Sequence, residues 1–167
     1  MQLDPVHFTG SEILEMAVRI EENGVRFYTD AGKSAKSMEV KDLFLQLAEE
    51  EKKHIKVFTG FKSLLPPDES LKSYDPFTGE ASLYLNALAD TEVFTRPGGG
   101  KDLSKKVKGE KEALGFAIQM EKDSLLFYYE LQKMVREKDR AVLESLVEQE
   151  KEHFRKLTAL QKALFPQ

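Results

Sequence analysis

The chain has 167 residues, 41% apolar and 32% charged, with a formal net charge of -4 and no cysteine. That length suits one globular domain burying about two-thirds of its unfolded surface. The missing cysteines exclude disulfides, thiol catalysis and Cys-ligated zinc or iron–sulfur centres, and the interleaved Lys and Glu offer no basic patch for nucleic acid.

Thr9-Gly-Ser-Glu12 has the form of a capping box and opens a first helix. Leu14, Ala17, Val18, Val25, Tyr28 and Ala31 mark one face of it at helical spacing, which carries the helix to about Lys33. After a short turn over Gly32–Ser37, a second helix carries Phe44, Leu47, Ala48, Ile55, Phe58 and Phe61 and stops before Pro66-Pro67. So short a connection makes the two helices antiparallel neighbours. From 66 to about 109 turn signals break the rhythm: Pro66-Pro67, Asp75-Pro-Phe-Thr-Gly79 and Arg96-Pro-Gly-Gly-Gly100. Between them, 80–94 reads as a short amphipathic helix. A third long helix shows Leu114, Ala117, Ile118, Leu125, Tyr128 and Leu131, and a fourth, beginning near Asp139, shows Leu143, Leu146, Val147, Phe154, Leu157 and Leu160. No apolar run approaches the ~18 residues of a membrane span. Met1–Phe8 lacks the basic and apolar regions of a signal peptide, so the expected location is the cytoplasm.

One pattern is written twice. Shifted by one hundred, Met16–Glu21 faces Phe116–Glu121, and Phe27-Tyr28 faces Phe127-Tyr128. Shifted by ninety-nine, Leu47–His54 faces Leu146–His153. The repeat implies an all-α bundle of two pseudo-symmetric hairpins, about 10–65 and 110–165, joined by a crossover over about 66–109. A crossover of that length can span the bundle and leave the second and third long helices parallel.

Two of the three histidines lie in the repeat, as Glu51-x-x-His54 and Glu150-x-x-His153. Residues three apart are neighbours on one helix face. Glu21 and Glu121 stand alone on the other two helices, within their apolar stripes. Four glutamates carry four negative charges, which two divalent cations match. A single Glu-x-x-His in so charged a chain is an ordinary solvated pair; two copies at equivalent places, each joined by a lone glutamate, point to a metal site. Imidazole and carboxylate accept iron, manganese or zinc alike. Tyr28 and Tyr128 stand two turns beyond their glutamates, where a phenol can hydrogen-bond a ligand carboxylate or simply pack in the core. His7 lies outside the repeat and reads as a surface residue.

These residues resemble the ferritin-like di-iron carboxylate superfamily, in which two helices give one Glu each and two give Glu-x-x-His. Within it the chain is most similar to the rubrerythrin-like branch: Glu21 with Gly24 and Tyr28, Glu51-x-x-His54, Glu121 with Tyr128, and Glu150-x-x-His153 match its four helices. The resemblance implies a ferritin-like four-helix bundle with Glu21, Glu51, His54, Glu121, Glu150 and His153 as ligands of two iron ions. It implies an oxidoreductase reacting with peroxide or O2. Two departures matter. Rubrerythrins proper carry a further glutamate where this chain has Ser124, which puts redox-dependent ligand exchange in doubt. They also carry a Cys-ligated iron domain that cysteine-free residues cannot build, so electrons are expected from an external donor protein or small reductant. The other readings are a ferroxidase or iron-storage subunit and a metal-free helical scaffold. The expected assembly is a homodimer.

Overall fold

A computed structural model describes residues 10–64, 98–135 and 137–166. These form five helices: α1 Gly10–Ser34, α2 Met38–Leu64, α3 Gly99–Lys106, α4 Glu110–Met134 and α5 Glu137–Leu164. The four long ones make the bundle, and α3 lies against α1. The capping Thr9, the helix expected over 80–94 and His7 fall outside the described residues.

The turn between α1 and α2 is later and shorter than its glycine suggests. Gly32 remains helical, pressed against Phe44 and Leu45, and only residues 35–37 leave the helix. Ser37 then caps α2, its Oγ accepting from Val40 N at 3.2 Å. Glu110, the first residue of α4, accepts from Lys36 N and Ser37 N at 2.6 Å each, which ties the first hairpin's turn to the second hairpin.

Two apolar clusters give the directions of the helices. One gathers Ile13, Leu14 and Ala17 of α1 with Phe58 and Phe61 of α2, Phe127, Tyr128 and Leu131 of α4, and Leu143 and Leu146 of α5. The other gathers Phe27 and Tyr28 of α1 with Val40, Phe44 and Leu47 of α2, Ala113, Leu114 and Ala117 of α4, and Leu157 of α5. Hence α2 and α4 both start in the second cluster and run toward the first, so they are parallel; α1 and α5 run the other way. This is ferritin-like topology. The burial pattern itself repeats: residues 21–28 and 121–128 alternate between buried and exposed in the same order.

α3 occupies part of what reads from sequence as a glycine-rich loop. Gly99 and Gly100 are weak helix formers, and tertiary contact overrides that weakness. Gly100 N donates to Asn23 Oδ1 at 3.1 Å, Ser104 Oγ donates to Asp30 Oδ2 at 3.3 Å, and Leu103 is buried. A Cβ on Gly100 would stand 1.9 Å from the Asn23 carbonyl oxygen. Gly100→Ala is therefore expected to push α3 off α1 and to cost about 1–3 kcal/mol in denaturant unfolding. Gly60→Ala on α2, where the added methyl meets nothing within 4 Å among the described residues, is expected to leave stability unchanged or slightly higher.

Candidate metal centre

Between the two apolar clusters lies a thin polar layer. α1 and α4 contribute Glu21 and Glu121; α2 and α5 contribute Glu51 with His54 and Glu150 with His153. All six are buried, none more than 3% exposed. Burying ions in this way costs several kcal/mol each unless they are compensated.

The donor atoms form two overlapping groups, Glu21–Glu51–His54–Glu150 and Glu51–Glu121–Glu150–His153, each with its donors within 4.8 Å of one another. Glu51 and Glu150 belong to both. Each histidine turns Nδ1 inward. His54 Nδ1 lies 2.7 Å from Glu150, 2.9 Å from Glu51 and 3.5 Å from Glu21. His153 Nδ1 lies 3.4 Å from Glu51, 3.4 Å from Glu150 and 3.7 Å from Glu121. The two imidazoles stack with centroids 5.5 Å apart.

These contacts are at ion-pair distance, yet Glu51 Oε2, His54 Nδ1, Glu150 Oε1 and His153 Nδ1 have no hydrogen-bond partner among the described residues. Buried polar atoms are rarely left so. Once deprotonated, these atoms direct their lone pairs into shared space. A carboxylate–imidazole donor set in that arrangement fits two divalent cations.

Without metal, the charges balance by protonation. Burial, then the charges of Glu51 and Glu150, pushes the Glu21 carboxyl well above its ordinary range; burial, then Glu150 and Glu51, does the same to Glu121. Burial also works against ionised Glu51 and Glu150, and each shared carboxylate repels the other. The adjoining imidazoles outweigh this, and both carboxyls are held below the ordinary range. Burial disfavours charge on His54 and His153 too, but the surrounding carboxylates raise both imidazoles. These directions favour protons on Glu21, Glu121, His54 and His153 over Glu51 and Glu150, an arrangement with no net charge. Four carboxylates, two neutral imidazoles and two divalent cations are equally neutral.

The tyrosines cross between the halves. Tyr28 Oη donates to Glu121 Oε1, and Tyr128 Oη donates to Glu21 Oε1. Burial, then the carboxyl group each one faces, raises both phenols, so they stay protonated as donors. Tyr28 packs 5.6 Å from the Phe44 ring and Tyr128 5.1 Å from Phe58, which holds each hydroxyl in place. A cavity of about 10 Å³, lined by Gly24, Ser124, Glu21, Glu51 and Glu121 among others, reaches the layer between α1 and α4. A Cβ on Gly24 would lie 3.4 Å from Glu51 Cγ, so the small residue leaves that carboxylate room.

The outward ring nitrogens find partners that the sequence reading did not single out. His153 Nε2 meets Glu50 Oε2 at 2.7 Å, and His54 Nε2 meets Gln149 Oε1 at 3.4 Å. The signal in the sequence is positional: each partner immediately precedes a glutamate of the opposite Glu-x-x-His pair.

A rubrerythrin family model matches residues 12–161. A search of curated proteins returned no match. Among solved structures, a Thermotoga maritima protein described as ferritin-like diiron-carboxylate is 31% identical, with a TM-score of 0.69; the match covers 93% of this chain and 96% of that one. The family match spans both hairpins and every helix that supplies the buried glutamates and histidines. The chain belongs to the rubrerythrin family, ferritin-like and di-iron carboxylate in type.

Proposed function

We propose that Glu21, Glu51, His54, Glu121, Glu150 and His153 hold two iron ions, and that the protein is an oxidoreductase acting on peroxide or O2 with electrons from an external donor. The observation that carries this reading is the pair of overlapping four-donor groups, sharing Glu51 and Glu150, with donor atoms unsatisfied by hydrogen bonds. Manganese or zinc would satisfy the same donors; iron is favoured by the family and by the di-iron description of the structural neighbour. When bound, two irons supply electron transfer to a small oxidant.

The chain's own groups do the rest. Tyr28 and Tyr128 fix the orientation of Glu121 and Glu21. The apolar clusters above and below close the layer to bulk water. The small cavity beside Gly24 and Ser124 leaves room there for about one water-sized molecule, so the substrate is small. In this reading the electrons come from an external donor protein or small reductant.

The test is anaerobic ferrous loading followed by peroxide or O2. Two irons per chain, oxidised rapidly by peroxide and turned over when reductant is supplied, are expected. Slow oxidation with accumulation of a mineral core in a large shell would instead establish iron storage. No metal after loading would leave a helical scaffold. In this reading the working assembly is a homodimer, which sedimentation of the loaded protein checks.

A further inference from the structure

The pseudo-twofold repeat that relates the ligands breaks down at the atoms behind them. Glu50 and Gln149 occupy equivalent places, one residue before Glu51 and Glu150. One is a carboxylate and the other a neutral amide. Because both Nδ1 atoms face the polar layer, each Nε2 carries the proton and donates outward. His153 donates to Glu50 Oε2 at 2.7 Å, a short charge-assisted bond. His54 donates to Gln149 Oε1 at 3.4 Å, a long bond to a neutral acceptor.

Each partner is itself held in place. Glu50 Oε1 accepts from Gln46 Nε2 at 2.8 Å and lies 3.9 Å from Lys156 Nζ, which leaves Oε2 for the imidazole. Gln149 Nε2 donates to the Ser145 carbonyl at 3.3 Å, which turns its oxygen toward His54. A carboxylate behind a ligating imidazole makes the ring a stronger donor to metal, and loss of such a partner typically lowers affinity about 10–100-fold.

We propose that Glu50 is a positioning residue that makes the two metal positions unequal: the one served by His153 and Glu121 binds more tightly and fills before the one served by His54 and Glu21. This rests on the dinuclear reading above. It concerns order and affinity, which that reading leaves open.

Titration of the metal-free protein with Co2+ tests it, following visible absorption and the hyperfine-shifted ring N–H protons of the two histidines. Wild type is expected to bind two ions in separate steps at least about tenfold apart, with the His153 signal appearing first. Glu50→Gln should weaken the first step by about 10–100-fold and merge the two. The exchanged variant Glu50→Gln/Gln149→Glu should restore two steps with the His54 signal first, which a merely structural role for Glu50 would not produce. Two ions binding with an order and spacing unmoved by either variant would overturn the inference and leave the dinuclear reading standing. Failure to bind Co2+ at all would overturn both.

Discussion

Glu51→Ala is expected to abolish loading at both metal positions, whereas Glu21→Ala should abolish it at one. Glu51 belongs to both donor groups, and Glu21 to only one. Removing Glu51 takes a negative charge and a donor atom from each position. The loss per ion should exceed the roughly 10–100-fold that removal of an outer partner costs. Metal per chain after gel filtration measures this directly: near zero for Glu51→Ala or Glu150→Ala, near one for Glu21→Ala or Glu121→Ala. The metal-free variant also leaves His54 and His153 short of a counter-charge in a buried layer, at a stability cost of about 3–5 kcal/mol. Glu51→Gln keeps the side-chain volume and serves as a second variant. Helical circular dichroism retained alongside lost metal separates a ligand defect from misfolding. Two metals retained by both Glu51 variants would show that Glu51 is not a ligand.

Loading the site at neutral pH is expected to release protons, and acid is expected to expel the metal. Glu21 and Glu121 have carboxyls raised by burial and then by their ionised neighbours, and His54 and His153 are raised, against burial, by carboxylates. All four must lose a proton to bind metal. Each displaced proton changes the observed affinity by about tenfold per pH unit. Calorimetry in buffers of different ionisation heat counts these protons. A pH-independent affinity between 5 and 8 would contradict the assignment.

The metal-free protein should respond in the opposite sense. For Glu21 and Glu121 the folded pKa exceeds the unfolded one, so their contribution is complete below the ordinary value of 4.5 and lost as pH rises above it. His54 and His153 follow the same rule from their ordinary value of 6.5. Glu51 and Glu150 are lowered, so their contribution is complete above 4.5 and lost as pH falls below it. The layer therefore stabilises the metal-free fold most near pH 4.5 and progressively less toward neutral and alkaline pH. Two divalent cations reverse that trend by taking the places of the protons. Thermal unfolding across pH, with and without metal, should give curves of opposite slope between pH 5 and 8.

Much of the fold was legible because the four long helices carry apolar stripes at a regular spacing. Leu14, Ala17 and Tyr28, or Leu114, Ala117 and Tyr128, suffice to place a buried face. The short helix Gly99–Lys106 was not legible. Gly99 and Gly100 argue locally for a turn, and only the close backbone approach to Asn23 makes them suitable there. The end of α1, Ser34, lies next to the expected Lys33, and only the turn begins later than Gly32. Gly32 reads as a breaker, but packing against Phe44 and Leu45 holds it in the helix.

By itself, the sequence determined the type, number and spacing of the candidate donors. Residues three apart on a helix share a face whatever that helix packs against, so Glu51 pairs with His54 and Glu150 with His153 in any packing. Only the tertiary structure decided how the halves interlock: that Tyr28 serves Glu121 and Tyr128 serves Glu21, that Glu51 and Glu150 face both donor groups, and that His153 is backed by a carboxylate while His54 is backed by an amide. Those pairings depend on the register and direction in which one helix lies against another. Helical periodicity specifies which face is buried, and leaves open which residue of the neighbouring helix that face will meet.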